Sequence, residues 1–184
     1  MKAKAIIVPT MTLVLITLVI TGLLVLTNGA TKDKIAQLQI QAQEEAKKEV
    51  LPDGDSFTDK VATVDGAEVT YYEADNGAGY VFLTSSKGYG GAVEVMTGIS
   101  AEGQVTGVKL TSQNETPGLG QKATNSSFTD QYKVEIPQDE FAVTKDSPSG
   151  QITAIAGATL TSRAVTNSVN EAAAIYDAVT GGGN

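Results

Sequence analysis

The residues best suited to chemistry in this 184-residue chain stand in two short segments. One is Gly157-Ala158-Thr159-Leu160-Thr161-Ser162, three hydroxyl side chains approached by two small residues. Just beyond it, Val165, Val169, Ala172, Tyr176 and Val179 recur at helical spacing, so the hydroxyls fall at a helix start. Free backbone N–H groups and the positive end of the helix dipole favour a phosphate at such a place. Gly157 and Ala158 permit close approach, and Arg163 adds charge. An ordinary capped helix, with Thr161 or Ser162 as N-cap, is the other reading that these residues allow. The second segment is Asn114-Glu115-Thr116-Pro117-Gly118-Leu119-Gly120. Its Pro117-Gly118 pair predicts a type II turn, and Gly120 supplies a second permissive backbone position.

What the chain lacks narrows the chemistry further. It contains no His, which removes the commonest general base and transition-metal ligand, and no Cys. A Ser/His/Asp triad, a zinc hydrolase site, a Cys nucleophile, a disulfide and a thiolate-held iron–sulfur cluster are therefore excluded within this chain. Any redox work must rest on an organic cofactor. The net charge of −8 and the isoelectric point near 4.5 argue against nucleic acid, whose phosphates call for clustered Lys and Arg.

The elements that must carry these segments can be read in turn. Ala5 to Leu26 holds no charged residue. At about 1.5 Å per residue the run reaches roughly 33 Å, enough for a ~30 Å hydrocarbon core. It is longer than a signal-peptide core, and no clean Ala-x-Ala site precedes Lys32. Lys2 and Lys4 on one side nearly balance Lys32 and Lys34 on the other, with a lean towards a cytoplasmic N-terminus. Thr31 to Val50 is expected to form a stalk helix, with Ile35, Leu38, Ala42 and Ala46 on one stripe and Pro52 and Gly54 ending it. Strands are expected at Glu68–Ala74, Gly79–Ser85, Ala92–Ile99 and Val105–Leu110, with Ser100–Gln104 as a hairpin connection. The polar stretch to Gly150 is expected as loop and short strands anchored by Phe128, Tyr132 and Phe141. A helix is expected over Ser162–Val179. The fold class is α+β: a membrane anchor over 1–30, a stalk over 31–52, a mostly antiparallel-sheet domain over 53–180 and a flexible tail over 181–184.

Gly157-Ala158-Thr159-Leu160-Thr161-Ser162-Arg163-Ala164-Val165 and the Asn114–Gly120 segment together resemble the FMN-binding domain family. Within it the chain is similar to the G subunits of Rnf electron-transport complexes, relatives of the C subunits of sodium-pumping NADH:quinone reductases. Gly88-Tyr89-Gly90-Gly91, Phe128 with Gln131, Val50-Leu51-Pro52 and the single N-terminal span share in the likeness, which runs over nearly the whole chain. The resemblance implies FMN joined through its phosphate to the hydroxyl of Thr159, a bond made by a separate flavin transferase with FAD as donor. It implies that Thr161 and Ser162 hydrogen-bond the phosphate beside Gly157, Ala158 and Leu160, with Thr161 as a second attachment candidate. Glu115, Thr116, Pro117, Gly118, Leu119 and Gly120 would lie against the isoalloxazine, and Lys122 could stabilise reduced flavin. Where the transferase usually reads an acidic residue and a Ser or Thr ahead of the modified threonine, this chain has Thr153 and Ala156. The function implied is electron transfer in an ion-translocating ferredoxin:NAD oxidoreductase, alongside integral-membrane and iron–sulfur subunits, with the FMN domain on the extracytoplasmic side. A tethered structural subunit without cofactor, or a flavinylated carrier of another extracytoplasmic reductase, are the alternatives.

Overall fold

The computed structural model describes residues 2–64 and 66–181, so that only Gly181 of the expected tail lies within the described residues. Helix α1 runs unbroken from Lys2 to Val50, joining the expected anchor and stalk into one element. Pro9 lies inside it. Thr10, Thr12, Thr17, Thr27 and Thr31 each turn their hydroxyl back to the carbonyl four residues earlier, at 2.8–2.9 Å. Such back-bonding satisfies the hydroxyls without water, as an apolar surrounding requires. The large apolar side chains from Ile6 to Leu26 are exposed, and by length and composition the helix can cross a membrane. This fits a single-pass membrane protein.

By its contacts the chain divides into residues 1–42 and residues 43–184. The second unit is built on a five-stranded antiparallel meander of strands β1 (Phe57–Val64), β2 (Ala67–Ala74), β3 (Gly79–Lys87), β4 (Ala92–Ser100) and β5 (Val105–Ser112). Four of these answer to the expected runs. β1 was not expected. Its residues are largely exposed, so no alternation of apolar and polar side chains marks it; full pairing with β2, from Phe57 opposite Ala74 to Val64 opposite Ala67, holds it at the edge.

Each face of the sheet is covered within this unit. Helix α3 (Thr159–Thr180) packs Val165, Val169, Ala172, Ile175 and Tyr176 onto Phe82, Val95, Ile99 and Val105. Buried Phe128, Tyr132 and Phe141 complete this core as expected; Phe141 stands in loop with isolated bridges, whereas Phe128 and Tyr132 stand on a run of short helical turns. These are Gly120–Thr124, α2 (Ser126–Thr129) and Asp130–Tyr132. On the other face Ala46, Val50 and Leu51 meet Ala74, Val81 and Met96. Gly98 and Gly107 make that approach possible. A Cβ on Gly98 would stand 2.3 Å from the Val50 carbonyl oxygen, and one on Gly107 2.7 Å from Val50 Cα. Thr106 Oγ1 donates to the same Val50 carbonyl at 2.5 Å, satisfying an acceptor at the helix end. Of the expected stalk stripe only Ala46 is buried; Ile35, Leu38 and Ala42 are exposed.

Candidate functional site

Three segments with little regular structure converge on the start of α3. The β3–β4 connection, Gly88–Gly91, closes with the Gly88 N–H donating to the Gly91 carbonyl at 2.8 Å. After β5, Leu119 N–H donates to Thr116 O at 3.1 Å across Pro117 and Gly118, whose φ is +76°. This is the turn that Pro-Gly predicts. Ahead of α3, Ala158 N–H donates to Ile155 O at 3.0 Å across Gly157, with φ +78°. The turn delivers Thr159 as the first helical residue, a full turn earlier than Ser162.

That displacement has a cause in the hydroxyls. The N-cap is Ala158, and no side chain caps the helix. Thr161 is 1% exposed and donates to Glu115 Oε2 at 2.6 Å. Ser162 donates to the Ala158 carbonyl at 3.0 Å and accepts from the Ile155 N–H at 3.0 Å. Neither serves as the N-cap. The helical ladder begins with Ser162 N–H on Ala158 O, leaving the N–H groups of Thr159, Leu160 and Thr161 ahead of it.

Glu115 is the strut among the three segments. It is 4% exposed; its Oε1 accepts from Gly90 N–H at 3.0 Å while Oε2 takes the Thr161 hydroxyl. The glycines around it leave room for this. A Cβ on Gly90 would stand 2.0 Å from the Asn114 carbonyl oxygen, and one on Gly120 2.6 Å from Glu115 Oε2.

The space enclosed is a cleft of about 610 Å³ lined by Tyr89, Glu115, Thr116, Leu119, Gly120, Lys145 and the run Gly157–Thr161. Its rim is apolar: Tyr89 is 74%, Leu119 43% and Leu160 51% exposed. Among the described residues beyond α1, the only other exposed large apolar side chains are Val61 and Val134. Such clustering marks a surface made to be covered. In the same lining, the half-buried Thr159 accepts a hydrogen bond from Lys145 Nζ at 3.2 Å.

Of the residues singled out in the sequence, the fold brings Glu115, Thr116, Leu119, Gly120, Gly157, Ala158, Thr159, Leu160 and Thr161 to this cleft. Pro117 and Gly118 shape the turn without lining it, and Ser162 is buried in the helix start. Lys122 lines a neighbouring groove with Asn125, Gln131 and Thr153 instead. Tyr89 and Lys145 were not among the expected site residues. An aromatic set among glycines offered a signal for Tyr89; nothing local marks Lys145.

A model of the FMN-binding domain matches residues 88–174, and one of the RnfG N-terminal region matches residues 1–50. The G subunit of the Na(+)-translocating ferredoxin:NAD(+) oxidoreductase complex of Acetobacterium woodii is 37% identical over 172 residues, covering 83% of each chain. The chain belongs to the family of Rnf G subunits. Its counterpart in the proton-translocating ferredoxin:NAD(+) oxidoreductase complex of Clostridium ljungdahlii is 38% identical over 156 residues, covering 83% of this chain and 81% of that one. The fold is also that of the C subunit of the Na(+)-translocating NADH-quinone reductase of Parabacteroides distasonis, with a TM-score of 0.51 at 24% identity. That match spans 70% of this chain and 64%, just under two thirds, of the other. The FMN-binding match takes in Tyr89, Glu115, Lys145 and Thr159, hence every segment that lines the cleft.

Proposed function

We propose that this chain is the membrane-anchored electron-transfer subunit of an Rnf ferredoxin:NAD oxidoreductase, an ion-translocating redox complex, and that it carries FMN as a phosphoester on Thr159. The observation that carries the reading is the mixed lining of the cleft. The lining combines Thr159, Lys145 and the leading N–H groups of α3 with the exposed side chains of Tyr89, Leu119 and Leu160. A flavin nucleotide has the matching pair of groups, an anionic phosphate and a broad apolar ring system. Tyr89, Leu119 and Leu160 would cover the ring and exclude water from it, while Glu115 keeps their segments in register. When bound, FMN supplies the redox chemistry, which a chain without His or Cys cannot supply from its own side chains.

Thr159 is favoured over Thr161 because its hydroxyl is accessible. The Thr161 hydroxyl is buried and committed to Glu115 at 2.6 Å. Esterification forms one bond from Thr159 Oγ1 to phosphorus and breaks the pyrophosphate of FAD, with adenosine monophosphate leaving and the hydroxyl proton released. A flavin transferase is the implied catalyst. The further parts of the reading are an anchor over 1–30, a stalk over 31–52, an FMN domain over 53–180 on the extracytoplasmic side, and integral-membrane and iron–sulfur Rnf subunits as partners. A covalent bond suits an extracytoplasmic domain, where free FMN would be lost.

The test is flavin fluorescence of the denatured full-length protein isolated from its native host. A fluorescent band that Thr159→Ala abolishes is expected. An unmutated protein without a band would sink the covalent reading, and loss in Thr161→Ala alone would move the site.

A further inference from the structure

Lys145 is the sole cationic side chain among those lining the cleft. It stands in the segment between Phe141 and Ile152, which forms no helix or named strand, so its position needs a cause. Three sets of bonds supply one. Asn170 on α3 clasps the Phe141 backbone, accepting from its N–H at 2.8 Å and donating to its carbonyl at 2.9 Å. Val143 and Ile152 bridge in parallel, with Thr144 N–H donating to Ile152 O at 2.8 Å. Arg163, the fifth residue of α3, forks onto both carboxylate oxygens of Asp146, with Nε on Oδ2 at 2.8 Å. The segment is thus fastened to α3 on both sides of Lys145, and Nζ comes within 3.2 Å of Thr159 Oγ1.

No carboxylate stands within ion-pair distance of Lys145 among the described residues, although Glu115 lines the same cleft. The adjacent Asp146 is engaged by Arg163, whose hydrogen bonds hold that carboxyl below the usual carboxylate range. The positive end of a 22-residue helix acts at the same hydroxyl. Because an ammonium can only donate, the Thr159 oxygen must be the acceptor, and its own proton points away from Lys145.

We propose that Lys145 is a positioning residue for the flavin phosphate. It holds the Thr159 oxygen in one orientation and places a positive charge where the phosphate is to lie. This rests on the FMN reading given above, but not on the ester bond, because the charge would serve unattached FMN equally.

The experiment uses the full-length chain in detergent, produced without flavin transferase, as unmutated protein, Lys145→Met and Lys145→Arg. Each is titrated with FMN and with riboflavin, which lacks the phosphate, and quenching of flavin fluorescence is read. The unmutated chain is expected to prefer FMN to riboflavin, and Lys145→Met to lower that ratio about five- to tenfold, as for one partly screened charge-assisted contact. Riboflavin affinity should stay unchanged, and Lys145→Arg should recover most of the ratio. Raising the salt concentration should erode the ratio in the unmutated chain far more than in Lys145→Met. An unaltered ratio in Lys145→Met, an equal loss of riboflavin affinity, or no preference for FMN in the unmutated chain would each overturn the proposal. Labelling with flavin transferase and FAD follows as a second arm. There Lys145→Met should label several-fold more slowly than the unmutated chain and Lys145→Arg near its rate, and equal rates in all three would also overturn it. Absence of label in the unmutated chain defeats the covalent reading alone, since the binding ratio still decides the role of Lys145.

Discussion

Removing the hydroxyl of Thr161 should cost more than its size suggests, because it carries a buried carboxylate. Thr161 Oγ1 and Glu115 Oε2 lie 2.6 Å apart, within the short range of a charge-assisted O–H···O⁻ bond. With both residues buried, such a bond is worth about 1.5–3 kcal/mol net. Thr161→Val keeps the shape and replaces the donor by a methyl group, leaving Glu115 with the Gly90 N–H at 3.0 Å as its remaining side-chain partner. We expect Thr161→Val to destabilise the globular unit by about 2–3 kcal/mol, part of it the cost of a poorly solvated carboxylate. Glu115→Gln can still accept from Gly90 and pair with Thr161 as a neutral group, so its loss should be about 1 kcal/mol. The double variant no longer strands a charge, and its loss should fall short of the sum by about 1–2 kcal/mol. The assay is denaturant unfolding of the full-length chain in detergent, followed by near-ultraviolet circular dichroism of its six tyrosines, since the chain has no Trp. Additive losses, with coupling below about 0.5 kcal/mol, would refute the claim that these two side chains tie the cleft walls together.

The other predictions concern the supports of the same site. Gly98→Ala, whose new Cβ would stand 2.3 Å from Val50 O, should lower stability by about 1–3 kcal/mol in the same unfolding assay. Ala at Gly66, where nothing lies within 4 Å, should show only the smaller cost of its positive φ. Hydrogen bonds from Arg163 depress the pKa of Asp146 in the folded chain. A depressed carboxyl contributes stability above its unfolded value, near ~3.9, and that contribution is lost as pH falls through the lower folded value. Carboxyl NMR titration should therefore place the Asp146 midpoint below ~3.9, and Arg163→Gln should move it back up.

Much of the fold was legible locally. Four of the five strands and α3 follow from alternation, helical spacing and turn residues, because their burial is one-sided and periodic. β1 was not legible, since its stability comes from pairing with β2 rather than from a buried face. The start of α3 was misplaced for a related reason. Thr161 and Ser162 look like capping residues, but they are drawn into bonds with Glu115, Ala158 and Ile155. A partner 46 positions away leaves no trace in local propensity.

The sequence by itself determined a helix long and apolar enough to cross a membrane, the α+β class, the absence of side-chain acid–base or thiol chemistry at a His or Cys, and the two motifs that mark the family. Those properties depend on composition and on neighbours a few residues apart. Only the tertiary structure decided that Lys122 lies outside the cleft while Tyr89 and Lys145 line it. It also separated the accessible hydroxyl of Thr159 from the committed hydroxyl of Thr161. Which hydroxyl is free, and which cation stands beside it, depends on long-range packing. The segment carrying Lys145 has no periodic pattern of its own and takes its place only once Asn170 and Arg163 on α3 have bonded to it.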